Sequence, residues 1–158
     1  MAGQMKKDMM KTKASAMAFL LLLLLTGCMG RASTPQPTVL HVVRPVLVGY
    51  HQQQVAPFDR TVWDAASVQR LYAAALALPI PQQYPTPCPF DIGPVYHLTF
   101  LNGTSQLQQV DVEPLGCHWV YLSQTDVRQA DQAFLTLLAH TIGLPSLIPA
   151  GLLPGPVV

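Results

Sequence analysis

The sequence has no lysine beyond Lys13, no methionine beyond Met29 and a single glutamate, Glu113. From position 28 onward it carries five arginines and seven acidic residues, a net charge of −2. Binding to nucleic acid or another anionic polymer requires a basic face that attracts the opposite charge. The composition therefore excludes that class of partner, and the missing methionines argue against a methionine-rich copper site.

Several motifs that carry common chemistries are also missing. There is no Gly-x-Ser-x-Gly nucleophile turn, no Ser-x-x-Lys after position 28, no phosphate-binding glycine loop and no dinucleotide fingerprint. The five histidines show none of the HxH, HxxxH or HExxH spacings that place metal ligands together on one element; they are His41, His51, His97, His118 and His140. The sequence thus predicts no cofactor and no metal site, and favours a protein that is not an enzyme without deciding the question.

The chain does have a leading segment in three parts. Four lysines come first, an apolar run from Ala14 to Leu25 follows, and Thr26-Gly27-Cys28 ends the segment. The apolar run is too short to favour a spanning helix, which needs ~20 apolar residues. It has the length expected for the core of a secretory signal.

The sequence Leu25-Thr26-Gly27-Cys28 resembles the lipobox of bacterial lipoproteins, and the resemblance covers residues 1–28 only. It implies that the Cys28 sulfur carries diacylglycerol and that the chain is cut before Cys28. The acyl chains would then hold the protein on the extracytoplasmic face of the cell membrane or the outer membrane. In bacteria with two membranes, an aspartate directly after the lipidated cysteine usually retains a lipoprotein at the inner membrane. Met29 occupies that position, so in such a bacterium we expect the outer membrane as the location.

Cys88 and Cys117 remain once Cys28 is assigned to lipid. In an exported protein two further cysteines are expected to pair, and a bridge closing ~30 residues contributes about 3–4 kcal/mol. The alternative makes Cys117, beside His118, a nucleophile or a metal thiolate. That alternative is disfavoured because adjacent residues of a strand point to opposite faces.

The first half of the mature chain alternates between extended and helical patterns. Val39–Val48 is expected to form a strand, which Pro45 makes an edge strand or a bend. A helix follows, capped by Asp59, Thr61 or Asp64 and ended by Pro79. Residues 79–94, with six prolines, are expected to form an irregular loop.

A hairpin follows, in which Tyr96, Leu98 and Phe100 share one face. A two-residue Asn102-Gly103 turn would place Asp111 on that face. A three-residue loop, 101–103, with a bulge places Val110 and Val112 there instead, so we predict the bulged register. A third strand is expected over Cys117–Leu122.

The last helix is predicted to begin after Ser123 or Thr125 and to end before Gly143, with Asp126 in its first turn. The element order predicts an α+β fold: a small antiparallel β-meander of about three to four strands, packed by two helices and closed by one disulfide. The expected organisation is a signal peptide over 1–27, a lipidated cysteine and tether over 28–38, a globular domain over 39–143 and a proline-rich apolar tail over 144–158.

Three functions are compatible with these patterns. The sequence favours a non-catalytic binding module or an accessory subunit of an envelope complex, with an envelope protein as possible partner. The alternative is a small envelope enzyme or metal-binding protein that uses His97, His118 and Asp111, and it predicts a deep pocket gathering them. The aromatics are expected to be core or half-core, and the apolar tail is expected to cover a sheet edge or to be disordered, although both could line a binding groove. These aromatics are Trp63, Tyr72, Trp119 and Tyr121. The strand Tyr96–Phe100 with the later Gly116-Cys117 resembles uncharacterised exported bacterial domains, which implies no function.

Overall fold

Eight strands and two helices make up the part of the chain that the structure, a computed structural model, describes: residues 35–48, 54–82, 93–150 and 152. All of these residues belong to one unit, Pro35–Val158. In chain order the elements are β1 (Val39–Arg44), β2 (Leu47–Val48), β3 (Gln54–Val55), β4 (Phe58–Val62), α1 (Ala65–Ala77), β5 (Tyr96–Asn102), β6 (Ser105–Val112), β7 (Trp119–Tyr121), β8 (Val127–Gln129) and α2 (Gln132–Thr141).

Six strands form one antiparallel sheet in the order β4-β1-β5-β6-β7-β8, while β2 and β3 pair separately. The α+β class agrees with this arrangement, but the predicted meander of about three to four strands is wrong. The sheet is larger because β4 and β8 add short strands at its two edges. The sequence of β4, Phe-Asp-Arg-Thr-Val, is too polar to indicate a strand, and β8 lies where the last helix was expected to begin.

β1 lies between β4 and β5, inside the sheet. The edge position predicted from Pro45 is therefore wrong. The predicted strand Val39–Val48 is interrupted at Pro45, since β2 belongs to the separate two-stranded sheet. β1 ends at Arg44, so Pro45 falls just beyond the last paired residue, where its missing N–H removes no ladder hydrogen bond.

The β5–β6 hairpin has the predicted core face, since Tyr96 is opposite Val112 and Leu98 is opposite Val110. The predicted three-residue loop is wrong. The turn is Gly103-Thr104, between the paired residues Asn102 and Ser105, and the register shifts between Phe100 and Leu101. The extra residue lies in β6, next to Gln108, and this bulge moves the valines rather than Asp111 onto the core face.

Each helix begins at an aspartate. Asp64, one of the three candidate caps, caps α1 by accepting from the Ser67 N–H, and the hydrogen bond from the Ser67 hydroxyl lowers the pKa of that carboxyl. α2 begins later than predicted, because Asp131 is its cap and accepts from the Phe134 N–H at 2.8 Å. The predicted cap Ser123 instead closes a turn, where its hydroxyl accepts from the Asp126 N–H at 3.0 Å.

The end of α2 is confirmed. Gly143 has φ 69° and follows the C-cap residue Ile142. The Gly143 N–H donates to the His140 carbonyl at 3.1 Å, and the Leu144 N–H donates to the Ala139 carbonyl at 2.8 Å. These two bonds form a Schellman motif, which satisfies carbonyls that the helix end leaves open.

The core lies between one face of the large sheet and the two helices. Its fully buried side chains include Leu40, Leu71, Tyr96, Leu98, Phe100, Leu138 and Ile142. The chain beyond Gly143 joins this core: Leu147 is buried, and its carbonyl accepts a 2.8 Å hydrogen bond from the Tyr96 hydroxyl.

Candidate functional site

The outer face of the sheet, opposite the helices, carries a row of side chains from five strands. Val43 of β1 is opposite both Asp59 of β4 and His97 of β5. His97 is in turn opposite Asp111, and Asp111 is opposite Tyr121. Because side chains at directly paired positions lie on the same face, the register places these residues side by side.

Two histidine–aspartate pairs lie on this face. His97 Nδ1 is 2.8 Å from Asp111 Oδ1, and His41 Nε2 is 2.8 Å from Asp59 Oδ1. The side chains of His97 and Asp111 are 40% and 37% exposed, so water screens the pair and it contributes at most about 1 kcal/mol to stability. Among the residues that the structure describes, no three His, Cys, Asp or Glu side chains gather in a way that could hold a metal ion.

His118 lies in a different place. It is in the turn before β7, with φ 56°, a left-handed conformation that side-chain-bearing residues seldom adopt. The strand over Cys117–Leu122 was predicted too long, so the opposite-faces argument about Cys117 and His118 does not apply. The structure brings together His97 and Asp111 but leaves His118 out, and the predicted pocket gathering all three is not found among the described residues.

His118 lines a groove instead. The groove has a volume of about 410 Å³ and runs between α2, the turn before β7 and the chain after Leu144. Its walls are mostly apolar, and they consist of Pro114, Leu115, His118, Gln132, Leu135, Thr136, Ala139, His140, Leu144, Pro145, Ser146, Leu147 and Ile148. The volume falls in the range of sites that take small molecules, roughly 300–1,000 Å³. We call it the C-terminal groove.

Most polar groups of the C-terminal groove already have partners within the protein. The Thr136 hydroxyl donates to the Gln132 carbonyl at 2.8 Å, and the Ser146 hydroxyl accepts from the Ile148 N–H at 3.1 Å. The imidazoles of His118 and His140 make no side-chain hydrogen bond to the described residues. The C-terminal groove thus offers an apolar surface with two imidazoles that can hydrogen-bond to a ligand.

Tyr96 and Arg44 lie beneath one wall of this groove. The Tyr96 hydroxyl holds the carbonyl of Leu147, a groove residue, and burial raises the pKa of Tyr96. The Arg44 guanidinium lies 5.9 Å from the centre of the Tyr96 ring and opposes that rise. These contacts fix one wall of the groove to the sheet.

The cysteine predictions fall largely outside the described residues. Cys28 and Cys88 lie outside the described residues, and Cys117 is the one cysteine within them. Cys117 is disulfide-bonded, but no disulfide has both of its cysteines within the described residues. The pairing of Cys117 with Cys88 remains a prediction.

Comparison with protein-family models, with curated proteins and with solved structures finds no match. None of the helices in the described ranges combines the length and apolar character required to cross a bilayer. The sequence favours an apolar tail that covers a sheet edge or is disordered, with a groove lining as the alternative. In the part of the tail that the structure describes, the side chain of Leu147 is buried and its segment forms a wall of the C-terminal groove.

Proposed function

We propose that this protein is a lipid-anchored, extracytoplasmic module of the cell envelope that binds a small amphipathic ligand in the C-terminal groove without transforming it. The observation that carries the proposal is the groove itself, with its apolar walls and its two histidines. The lipobox-like sequence ending at Cys28 supports the location.

The size of the groove favours a small molecule over a protein partner. A stable protein–protein interface usually buries about 800 Å² on each side, whereas a cavity of about 410 Å³ accommodates one compact ligand. Apolar atoms of the ligand would pack on Leu135, Ala139 and Leu144. A hydrogen-bonding group of the ligand would face His118 and His140.

The arrangement of the polar residues favours binding over catalysis. A histidine held by a carboxylate, such as His97 on Asp111, is one half of a general-base arrangement, in which the carboxylate orients the imidazole. That pair lies on the outer face of the sheet, where Asp111 and Tyr121 line a more open and more polar depression of about 760 Å³. The apolar C-terminal groove lies beside α2 and contains neither His97 nor Asp111. The apolar binding surface and the proton-transfer group are therefore in separate places.

The binding proposal is tested by analysing what copurifies with the membrane-extracted protein. Thr136 is exposed on α2 and lines the groove, so Thr136→Trp fills it; Ala133 is exposed on the same helix outside the groove, so Ala133→Trp is the matched control. Mass spectrometry of the small molecules should find a compound with wild type and Ala133→Trp that Thr136→Trp has lost. A stoichiometric protein lost only from Thr136→Trp would instead indicate an accessory subunit. Identical contents in all three would contradict a ligand site in the groove.

The anchor is tested by intact mass. The membrane-extracted chain should begin at Cys28 and carry the added mass of its acyl chains. Cys28→Ala should remove both the cleavage and the added mass. An unmodified Cys28 within an uncut chain would contradict the proposed anchor.

A further inference from the structure

We propose, on the basis of the lipid anchor proposed above, that Trp63 contacts the headgroup layer of the membrane that carries the anchor. Trp63 is 74% exposed, the most exposed of the large hydrophobic residues that the structure describes. Trp119, the second tryptophan of the chain, is 6% exposed and serves as its internal comparison.

Trp63 lies at the end of the sheet from which the chain leads back toward Cys28. β1 begins there at Val39, and β4 ends there, with Val62 opposite Leu40. Trp63 is the next residue after Val62. Thr38 is held at the same end, because its N–H donates to the Leu101 carbonyl at 2.7 Å.

The connecting chain is short. Six residues lie between Cys28 and Pro35, which makes seven Cα–Cα steps, so even a fully extended connection spans no more than about 25 Å. The headgroup layer adds a further ~6 Å of thickness on each side of the hydrocarbon core. A lipid on Cys28 would therefore keep Pro35 within about 25 Å of the bilayer surface, which leaves this end of the sheet within reach of the headgroups.

This end of the domain is nearly free of charge. Asp64 is the only Asp, Glu, Lys, Arg or His within residues 35–40, 61–67 and 101–107. Its carboxylate is already bonded to Ser67, at 2.5 Å from the hydroxyl and 3.3 Å from the N–H. Approach to the headgroups thus requires little loss of hydration from ionised groups. Indole rings favour that layer because they combine an apolar body with one N–H donor.

The test uses the full-length, lipidated protein in phosphatidylcholine vesicles that contain lipids brominated near the headgroup. Trp119→Phe leaves Trp63 as the only tryptophan, and Trp63→Phe leaves Trp119 as the matched control. The brominated lipids should quench the fluorescence of Trp63 several-fold more than that of Trp119, and Trp63 emission should move to shorter wavelength on transfer from detergent to vesicles. If Trp119→Phe does not fold, the emission that the lipids quench in wild type should be missing from Trp63→Phe.

Flotation of the same vesicles separates the two proposals. Protein that floats but shows equal quenching of Trp63 and Trp119 retains its anchor and overturns the membrane contact of Trp63. If the protein does not float, the result overturns the proposed lipid anchor and, with it, the proposed membrane contact of Trp63.

Discussion

The Nη1 atom of Arg60, on the edge strand β4, donates a 2.8 Å hydrogen bond to the carbonyl of Ile142, the C-cap residue of α2. The two residues are 82 positions apart in the chain. The C-terminal end of a helix has carbonyls without intrahelical partners and carries a partial negative charge. A guanidinium there donates a hydrogen bond to a carbonyl and is attracted by that charge. This bond connects the edge of the sheet to the helix layer.

We expect Gly143→Ala to lower the free energy of unfolding by about 2–3 kcal/mol. A left-handed alanine costs about 1–2 kcal/mol, and the lost Arg60 hydrogen bond about 1 kcal/mol more. The added Cβ would meet Arg60 Nη1. Urea unfolding measures the change. In an Arg60→Met background the same substitution should cost less, since the clash is gone.

Gly103→Ala is the matched control for this substitution. Gly103 also has positive φ, 59°, but a Cβ there meets no atom within 4 Å. Its cost should be the conformational part alone, about 1–2 kcal/mol. Equal losses at Gly103 and Gly143, with no dependence on Arg60, would contradict the contact described above.

We expect Tyr96→Phe to cost about 1–2 kcal/mol of stability, because it leaves the buried Leu147 carbonyl without its donor. The loss should appear in the denaturant midpoint with an unchanged slope. Tyr72→Phe is the control. The ring centroids of Tyr72 and Phe100 are 4.9 Å apart, and the Tyr72 hydroxyl makes no hydrogen bond to the described residues. A wild-type value for Tyr96→Phe would mean that the bond to Leu147 contributes nothing.

The same tyrosine predicts a loss of stability at high pH. Burial raises the pKa of Tyr96 above its ordinary value of 10.0, so the folded state keeps the hydroxyl protonated where the unfolded state loses the proton. The stabilisation is complete below pH 10 and declines as the pH rises through the raised value. Unfolding measured from pH 9 upward should show a shallower decline for Tyr96→Phe than for wild type. Parallel curves would contradict this assignment.

We expect Arg44→Met to leave stability within about 1 kcal/mol of wild type, or to raise it. Arg44 is 6% exposed, and its Nη2 donates to the Ala56 carbonyl at 2.8 Å. Its Nε and Nη1 are buried and have no hydrogen-bond partner among the residues that the structure describes. Replacing such a charge with an apolar side chain of similar length removes a desolvation penalty. A loss above about 3 kcal/mol in thermal unfolding would show that the charge is compensated.

We expect Asp131→Ala to cost about 1 kcal/mol and Asp131→Asn much less, because asparagine retains the oxygen that accepts from the Phe134 N–H. Thr125→Ala should change stability by no more than about 0.5 kcal/mol. Circular dichroism during urea unfolding measures all three. If Thr125→Ala lowered stability more than Asp131→Ala, α2 would begin after Thr125, as the sequence predicts.

The two starts proposed for the last helix show where sequence reasoning reached its limit. Ser123 and Thr125 are good caps, and the apolar residues from Val127 onward fit a helical stripe. The same residues also fit a short strand, and pairing of Val127 with Tyr121 decides for the strand. The spacing of apolar residues along the chain does not show that Tyr121 is the pairing partner of Val127. The Val110 and Val112 face of the hairpin was predictable because burying Asp111 is so unfavourable.

The candidate site was harder to predict than the fold. Pro114, His140 and Leu144 line one groove, yet they are 30 residues apart from first to last and share no motif. The pairing of His97 with Asp111 follows from strand register, which the bulge sets. The sequence singled out His118 but grouped it with the wrong residues, because its place in the groove depends on the turn before β7, whose left-handed backbone the sequence did not predict.

Under the proposed lipid anchor, the two edge strands would affect how densely copies of this protein can cover a membrane. Lipid anchoring would confine many copies to a plane with their sheets similarly oriented, and open strand edges would then pair from one molecule to the next. β4 presents Asp59 and Arg60 along a five-residue edge, and β8 has three residues with Arg128 at its centre. Short, charged edges discourage such pairing. The sheet is thus suited to crowding on a surface without growing into fibrils.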